Sequence, residues 1–249
     1  MNLSGKIALV TGGTRGIGAA TAIALAKEGA DVAIVGRRVD DEAKATRAAI
    51  LELGRRCEII QADCGQAADA TRCVRETESR LGPVDALVHA AGGPVNGGLF
   101  DLTPEDWRAA FDVHVHAVFH LCRAAIPAMR AKKEGAIVLV SSVAALRGVI
   151  TNVAYQVAKG ALPQFARALA REFANDNIRV NCVAPGVIRT AFHANMSEEQ
   201  RRLNLDHRIP LHREGTPQHV AELIVLLVKN DYLTGETMTI DGGLTMRIA

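Results

Sequence analysis

Tyr155 and Lys159 stand four residues apart in AYQVAKG. On a helix, an i, i+4 pair shares one face, with Cβ atoms about 6 Å apart. A phenol ordinarily keeps its proton up to about pH 10. An ammonium about 4 Å away favours the phenolate by roughly 4 kcal/mol at an effective dielectric near 20. Part of that, reduced by solvent, is expected to bring Tyr155 down toward a useful acid–base range. Ser142 closes the apolar run AIVLVSS. Its hydroxyl suits hydrogen bonding to a carbonyl oxygen while Tyr155 supplies the proton.

A second group of residues suits an anionic ligand. TGGTRGIG, residues 11–18, sets Gly12, Gly13, Gly16 and Gly18 around Thr14, Arg15 and Ile17. Glycine permits the sharp turn from a strand into a helix and lets backbone approach a ligand closely. The helix that follows opens with free N–H groups and a positive dipole end, which suits a pyrophosphate. No Gly-Lys-Ser/Thr follows, so this is not a nucleoside-triphosphate loop. Further on, VGRR places Gly36, Arg37 and Arg38 where an NAD-preferring fold often carries a carboxylate for the ribose 2′-OH. With Arg15, these guanidinium groups predict preference for the 2′-phosphorylated cofactor NADP(H), with NAD(H) as the alternative.

Seven short β-branched runs, at 6–10, 31–35, 57–60, 84–88, 136–140, 178–183 and 237–240, read as strands. They are nearly continuous in apolar residues, as strands buried on both faces are. Between them, 16–29, 40–53, 66–81, 104–131, 153–175 and 217–229 read as helices. The alternation predicts an α/β fold, a doubly wound parallel sheet of Rossmann type with helices on both faces. Neither a Pro/Gly/Ser linker nor a repeat interrupts the 249 residues, so one domain over 1–249 is expected. In such a sheet ligands bind beyond the carboxyl ends of the strands. Ser142 and the glycine turn both fall there. Residues 187–213 are too long for an ordinary connection and are expected to form a substrate loop. Val187, Ile188, Phe192, Met196, Leu203 and Leu205 supply its apolar side chains.

Composition excludes other classes. Charged residues make up 22% and hydrophobic ones 49%, which rules out a disordered chain. Lys and Arg total 29 against 27 Asp and Glu, so no basic excess points to nucleic acid. No apolar run reaches the length that spans a bilayer, and the N-terminus runs into a strand rather than a signal peptide. Cys57, Cys64, Cys73, Cys122 and Cys182 show no CxxC spacing and read as reduced thiols of a cytoplasmic protein. His114, His116 and His120 have no carboxylate or thiol to complete a metal site, and no metal is expected.

Taken together, TGGTRGIG, Asp63, the AAG of HAAG at 90–92, Ser142, YQVAK at 155–159 and PGVIRT at 185–190 resemble the short-chain dehydrogenase/reductase family over essentially the whole chain. The resemblance implies that Tyr155 is the acid–base and that Ser142 orients the substrate carbonyl. Lys159 would bind the nicotinamide ribose and lower the tyrosine pKa. Asp63 would contact the adenine, and Ala91 and Gly92 would line the adenosine side. The backbone of Pro185, Gly186, Ile188 and Thr190 would hold the nicotinamide. Homotetramers built through the helices at 104–131 and 153–175 are implied as well. The expected activity is hydride transfer between a nicotinamide and a carbonyl or secondary alcohol of a small-molecule substrate. The chain is similar to 3-oxoacyl reductases and also to sugar or polyol dehydrogenases. A dinucleotide-binding regulator without turnover is the rival from another class, and intact Ser142, Tyr155 and Lys159 oppose it.

Three departures from the family pattern stand out. His114 takes the place of an asparagine that joins a water relay to the lysine. A neutral imidazole both donates and accepts, and its titration near neutrality would make that relay pH-sensitive. His89 replaces the first asparagine of the usual NNAG and reads as local repacking. Pro163 removes the N–H owed to the Lys159 carbonyl, which is expected to take a water and bend the helix slightly. Asp176, near the end of the Tyr–Lys helix, argues against an acidic carrier protein as partner.

Overall fold

Each predicted strand run forms a strand in the computed structural model, which describes residues 1–191 and 196–246. The strands are β1 (Ile7–Thr11), β2 (Asp31–Gly36), β3 (Cys57–Gln61), β4 (Ala86–His89), β5 (Gly135–Val140), β6 (Ile178–Pro185) and β7 (Thr237–Ile240). All pair in parallel, in the order β3-β2-β1-β4-β5-β6-β7. The central strands are buried along their length, whereas β3 and β7, with one neighbour each, are partly exposed. That is why the central runs are apolar at every position and the edge runs carry Glu58, Thr237 and Thr239.

Alternate side chains feed two cores. Ile7 and Leu9 pack with α3 (Ala67–Arg80), α5 (Ala117–Lys132) and α6 (Val153–Glu172) on one face. Ala8 and Val10 pack with α1 (Gly16–Lys27), α2 (Asp41–Glu52) and α8 (Pro217–Lys229) on the other. The strand order reverses direction between β1 and β4, and the crevice beyond their carboxyl ends is the ligand position of such sheets.

Two predicted segments are more structured than expected. The helix expected over 104–131 is α4 (Pro104–Phe111), then a wider π-turn at Asp112–His116, then α5. The turn bulges by one residue and places His114 in it. Residues 187–213 are not a plain loop: they contain α7 (Glu198–Leu203) and a second π-turn at Asn204–Arg208. Ser197 caps α7 by accepting from the Gln200 N–H. Phe192 lies outside the described residues.

Candidate active site

Steric packing explains the glycine turn. Gly12 and Gly16 have φ of +66° and +56°. A Cβ on Gly12 would sit 2.7 Å from the Ala90 carbonyl oxygen, and one on Gly18 would overlap the Gly12 carbonyl. The turn is thus pressed between β4 and its own helix. Gly36 is glycine because a Cβ there would meet the Thr14 side chain at 2.7 Å, so no carboxylate fits at that position. Arg15 precedes α1 without a capping side chain, and the first turn of α1 holds no acidic residue. By contrast, α2, α4 and α8 are capped by Asp40, Thr103 and Thr216. The N–H groups opening α1 therefore have no side-chain cap, as those opening α3 and α6 have none, and such a helix start suits an anion. Arg37 is exposed just past β2, and Arg15 is exposed within 3.9 Å of Glu42. Thr190, arriving from β6, lies 3.5 Å from where a Gly16 Cβ would be.

At the end of β4 and in the π-turn, two buried histidines organise the chain. The His89 ring is 2.9 Å from Thr11 Oγ1 through Nδ1 and 3.0 Å from the Val113 carbonyl through Nε2. A carbonyl only accepts, so Nε2 carries the proton and Nδ1 accepts from Thr11. This bond ties β1 and β4 to the π-turn. His114 is 3.1 Å from the Gly93 carbonyl through Nε2, which leaves Nδ1 a buried acceptor. Its ring overlaps the place of a Gly92 Cβ, at a residue whose φ is +131°. It also meets Tyr155 edge-on, with centroids 5.5 Å apart. Burial, reinforced by the Lys159 ammonium, pushes His89 down to about 3 and His114 down to about 2. Burial therefore works against the expected pH-sensitive relay, because it disfavours a charged His114.

The end of β5 meets α6 at three successive residues. The Val140 carbonyl accepts from Lys159 Nζ at 2.7 Å. Ser141 Oγ donates to the Lys159 carbonyl at 2.8 Å. Ser142 hydrogen bonds the Tyr155 phenol and accepts from the Ala144 N–H at 3.1 Å. Lys159 Nζ lies 5.7 Å from the centre of the Tyr155 ring. Burial holds the phenol above its ordinary value, with Ser142 opposing, and burial pushes the ammonium down to about 8. The expected lowering of Tyr155 by Lys159 is not seen: removal from water outweighs the Ser142 hydrogen bond, and the ammonium is turned to Val140. A Tyr155 that keeps its proton is a proton donor at neutral pH.

A continuous line of contacts thus runs from Gly12 through Ala90–Gly92, His114 and Tyr155 to Ser142, with Thr190 against Gly16. The family described as enoyl-(acyl carrier protein) reductase matches residues 12–245. The chain is 36% identical to dehydrogenase/reductase SDR family member 4 of Oryctolagus cuniculus, over 99% of this chain and 96% of that one. It is 37% identical to a 3-oxoacyl-[acyl-carrier-protein] reductase of Mus musculus, over 98% and 99%. The L-sorbose reductase of Gluconobacter frateurii, solved with NADPH and L-sorbose, superposes with a TM-score of 0.91 at 30% identity, over 100% of both chains.

The chain belongs to the short-chain dehydrogenase/reductase family. It is an oxidoreductase with the sheet and crevice of that family. As in the family pattern, Asp63 follows β3, where its carboxylate accepts from the Gly65 N–H at 3.0 Å. Pro185 ends β6, and the Gly186 N–H donates to Ile240 at 2.9 Å. Ile188 is buried and bridges to Gly215.

Sequence reasoning missed four features of this short-chain dehydrogenase/reductase. Ser141, not water, takes the Lys159 carbonyl, and α6 runs unbroken through Pro163. The π-turn leaves the Val113 carbonyl for His89. Glu214 is buried and pairs with Arg189 at 3.1 Å and Arg201 at 3.2 Å, tying α7 to the residues that follow β6. Asp176 is turned inward onto Arg130 and Lys133, so it does not oppose an acidic partner. A proline four residues after a catalytic-type lysine was the one available signal for the first of these.

Proposed function

We propose that the chain is an NADP(H)-dependent reductase of ketones, with 3-oxoacyl-type compounds as the preferred substrate class. The assembly of Ser142, Tyr155 and Lys159 at the carboxyl end of β5, beside a glycine turn that only backbone can fill, carries the reading. Gly12, Thr14, Gly16, Ile17 and Gly18 would hold the pyrophosphate against the uncapped start of α1. Arg15 and Arg37 would take the 2′-phosphate, with no carboxylate to repel it. Asp63, Ala91 and Gly92 would hold the adenosine side, and Pro185, Gly186, Ile188 and Thr190 the nicotinamide. When bound, the dinucleotide supplies the hydride for the carbonyl carbon. Tyr155 gives its proton to the oxygen, and Ser142 steadies that oxygen as charge builds on it. Lys159, largely charged at neutral pH, offsets the charge left on Tyr155 and would hold the nicotinamide ribose. His114, locked neutral, supplies the acceptor that the relay needs.

Leu99, Phe100, Val149 and Ile150 stand exposed on the segments after β4 and β5, which favours a substrate with an apolar body. The bound sugar of the L-sorbose reductase, solved with NADPH, favours a second substrate class, sugars or polyols; an NAD(H)-dependent dehydrogenase of such compounds is the alternative reading. The groove of about 690 Å³ between α5 and α6, lined by Phe119, Ile126, Phe165, Leu169 and Phe173, supports a homotetramer built through these helices. All five cysteines are buried and free, in keeping with a reducing cytoplasmic setting. One catalytic domain over 1–249, with 187–213 as its substrate loop, completes the reading.

The test follows nicotinamide absorbance over a panel of 3-oxoacyl thioesters, simple ketones and ketoses, with NADPH and NADH in parallel. Faster oxidation of NADPH with 3-oxoacyl thioesters is expected. Turnover confined to sugars with NADH supports the alternative reading, and binding without turnover on any carbonyl sinks both.

A further inference from the structure

Pro163 is buried in α6 and has no N–H to give the Lys159 carbonyl one turn earlier. Gly160 follows the lysine directly, with nothing within 4 Å of where its Cβ would be. Glycine and proline are the two poorest helix formers, so α6 supports itself least at the residue that carries the ammonium. The carbonyl is nonetheless satisfied: Ser141 Oγ donates to it at 2.8 Å. Ser141 is itself fixed, because it is buried and its N–H donates to the Val183 carbonyl at 2.8 Å. The donor comes from the sheet, eighteen residues away in sequence, and replaces one the helix lacks.

We propose that Ser141 is a positioning residue for Lys159, supplying from the end of β5 the hydrogen bond that Pro163 removes from α6. The proposal rests on the role given to Lys159 above. Ser141 touches none of the reacting atoms; it acts through the lysine backbone. The side chain leaves that backbone to reach the Val140 carbonyl. Two consecutive residues, the last of β5 and the one after it, therefore hold both ends of Lys159, its carbonyl through Ser141 and its ammonium through Val140. Loosening the first bond lets the helix shift and moves the ammonium relative to Tyr155.

The two residues define a rescue experiment. Ser141→Ala leaves the Lys159 carbonyl buried and unpaired, and is expected to lower kcat by about tenfold. It is also expected to move the limb of the pH–rate profile set by Lys159. The ionisable neighbours of Lys159, namely Tyr155, His89, His114 and Cys182, are unchanged in these variants. Pro163→Ala restores an N–H at residue 163, so the Ser141→Ala/Pro163→Ala protein is expected to return to within about twofold of the parent kcat. Ser141→Thr, which keeps the hydroxyl, retains most of the activity.

Parent kcat and pH profile in Ser141→Ala overturn the proposal, as does a double variant no more active than Ser141→Ala. Thermal midpoints of the parent, Ser141→Ala, Pro163→Ala and the double variant read the coupling without turnover. If Ser141→Ala does not fold, the double variant must; an unfolded double variant overturns the proposal. A parent protein inactive on every carbonyl overturns the reductase reading instead, and the thermal cycle still decides whether Ser141 replaces the missing N–H.

Discussion

The glycine turn and the end of β5 both face the same crevice, yet they are built by opposite means. The turn is backbone packed on backbone. Gly12, Gly18 and Gly36 are glycine because a single carbon would collide with Ala90, Gly12 or Thr14. The end of β5 is a buried polar cluster, in which Val140, Ser141 and Ser142 each bond to one of two helical side chains or their backbone. The first region tolerates no addition. The second tolerates no loss, since every buried polar group there depends on a partner from another segment. With the roles proposed for them, the turn as cofactor cradle and the cluster as proton-transfer site, the two should respond to mutation with different signatures: loss of binding for the one, and loss of rate with altered pH dependence for the other.

The comparison breaks most sharply at Tyr155. Tyr155→Phe keeps the ring and removes the proton, so kcat should fall by about a thousandfold while cofactor binding, read by fluorescence, persists. Retained turnover would mean that the β5 cluster is not the proton-transfer site. Gly18→Ala tests the other region. The added methyl overlaps the Gly12 carbonyl, and cofactor affinity by calorimetry should drop by about a hundredfold or more, equivalent to about 3 kcal/mol. Gly148→Ala, with open space at its Cβ, serves as the control expected to bind normally.

The histidines sharpen the contrast through stability. Folded His89 and His114 stay neutral down to about 3 and 2, whereas unfolded histidine takes a proton near pH 6.5. The unfolded state binds more protons below that pH, so stability falls as the solution is acidified. Each ring contributes about 2 kcal/mol of the loss between pH 6.5 and 5. Denaturant melts of a His89→Asn/His114→Asn protein should show a much flatter acid limb, and an unchanged slope would mean that the rings charge without penalty. Lys159 works at the alkaline end. Its folded value of about 8 lies below the ordinary 10.5, so stability rises with pH between them, and Lys159→Met should flatten that rise. The smallest effect belongs to an exposed charge: Arg37→Asp should shift the NADPH-to-NADH preference by about tenfold, measured as the ratio of kcat/KM values.

Much of the cofactor half was legible in residue order. A glycine turn after an apolar strand, arginines after the next strand and a Tyr–Lys pair at helical spacing are local patterns, and local sterics and spacing give them meaning. The strands matched to within about two residues at each end for the same reason. The π-turn was not legible, because Asp112–His116 lies within an otherwise regular helical pattern and opens only where His89 draws the Val113 carbonyl out. Nor was the inward turn of Asp176, which depends on Arg130 from α5 and Lys133 just after it.

By itself, the amino-acid sequence determined the alternation of strands and helices, the position of the glycine turn and the spacing of Tyr155 and Lys159. These depend on steric and periodic preferences that neighbouring residues settle among themselves. Only the tertiary structure decided that Tyr155 keeps its proton, that His114 stays neutral and that Ser141 completes the helix at Lys159. Those outcomes depend on burial and on hydrogen-bond partners from distant segments, which exist only once the sheet and helices have closed around the site.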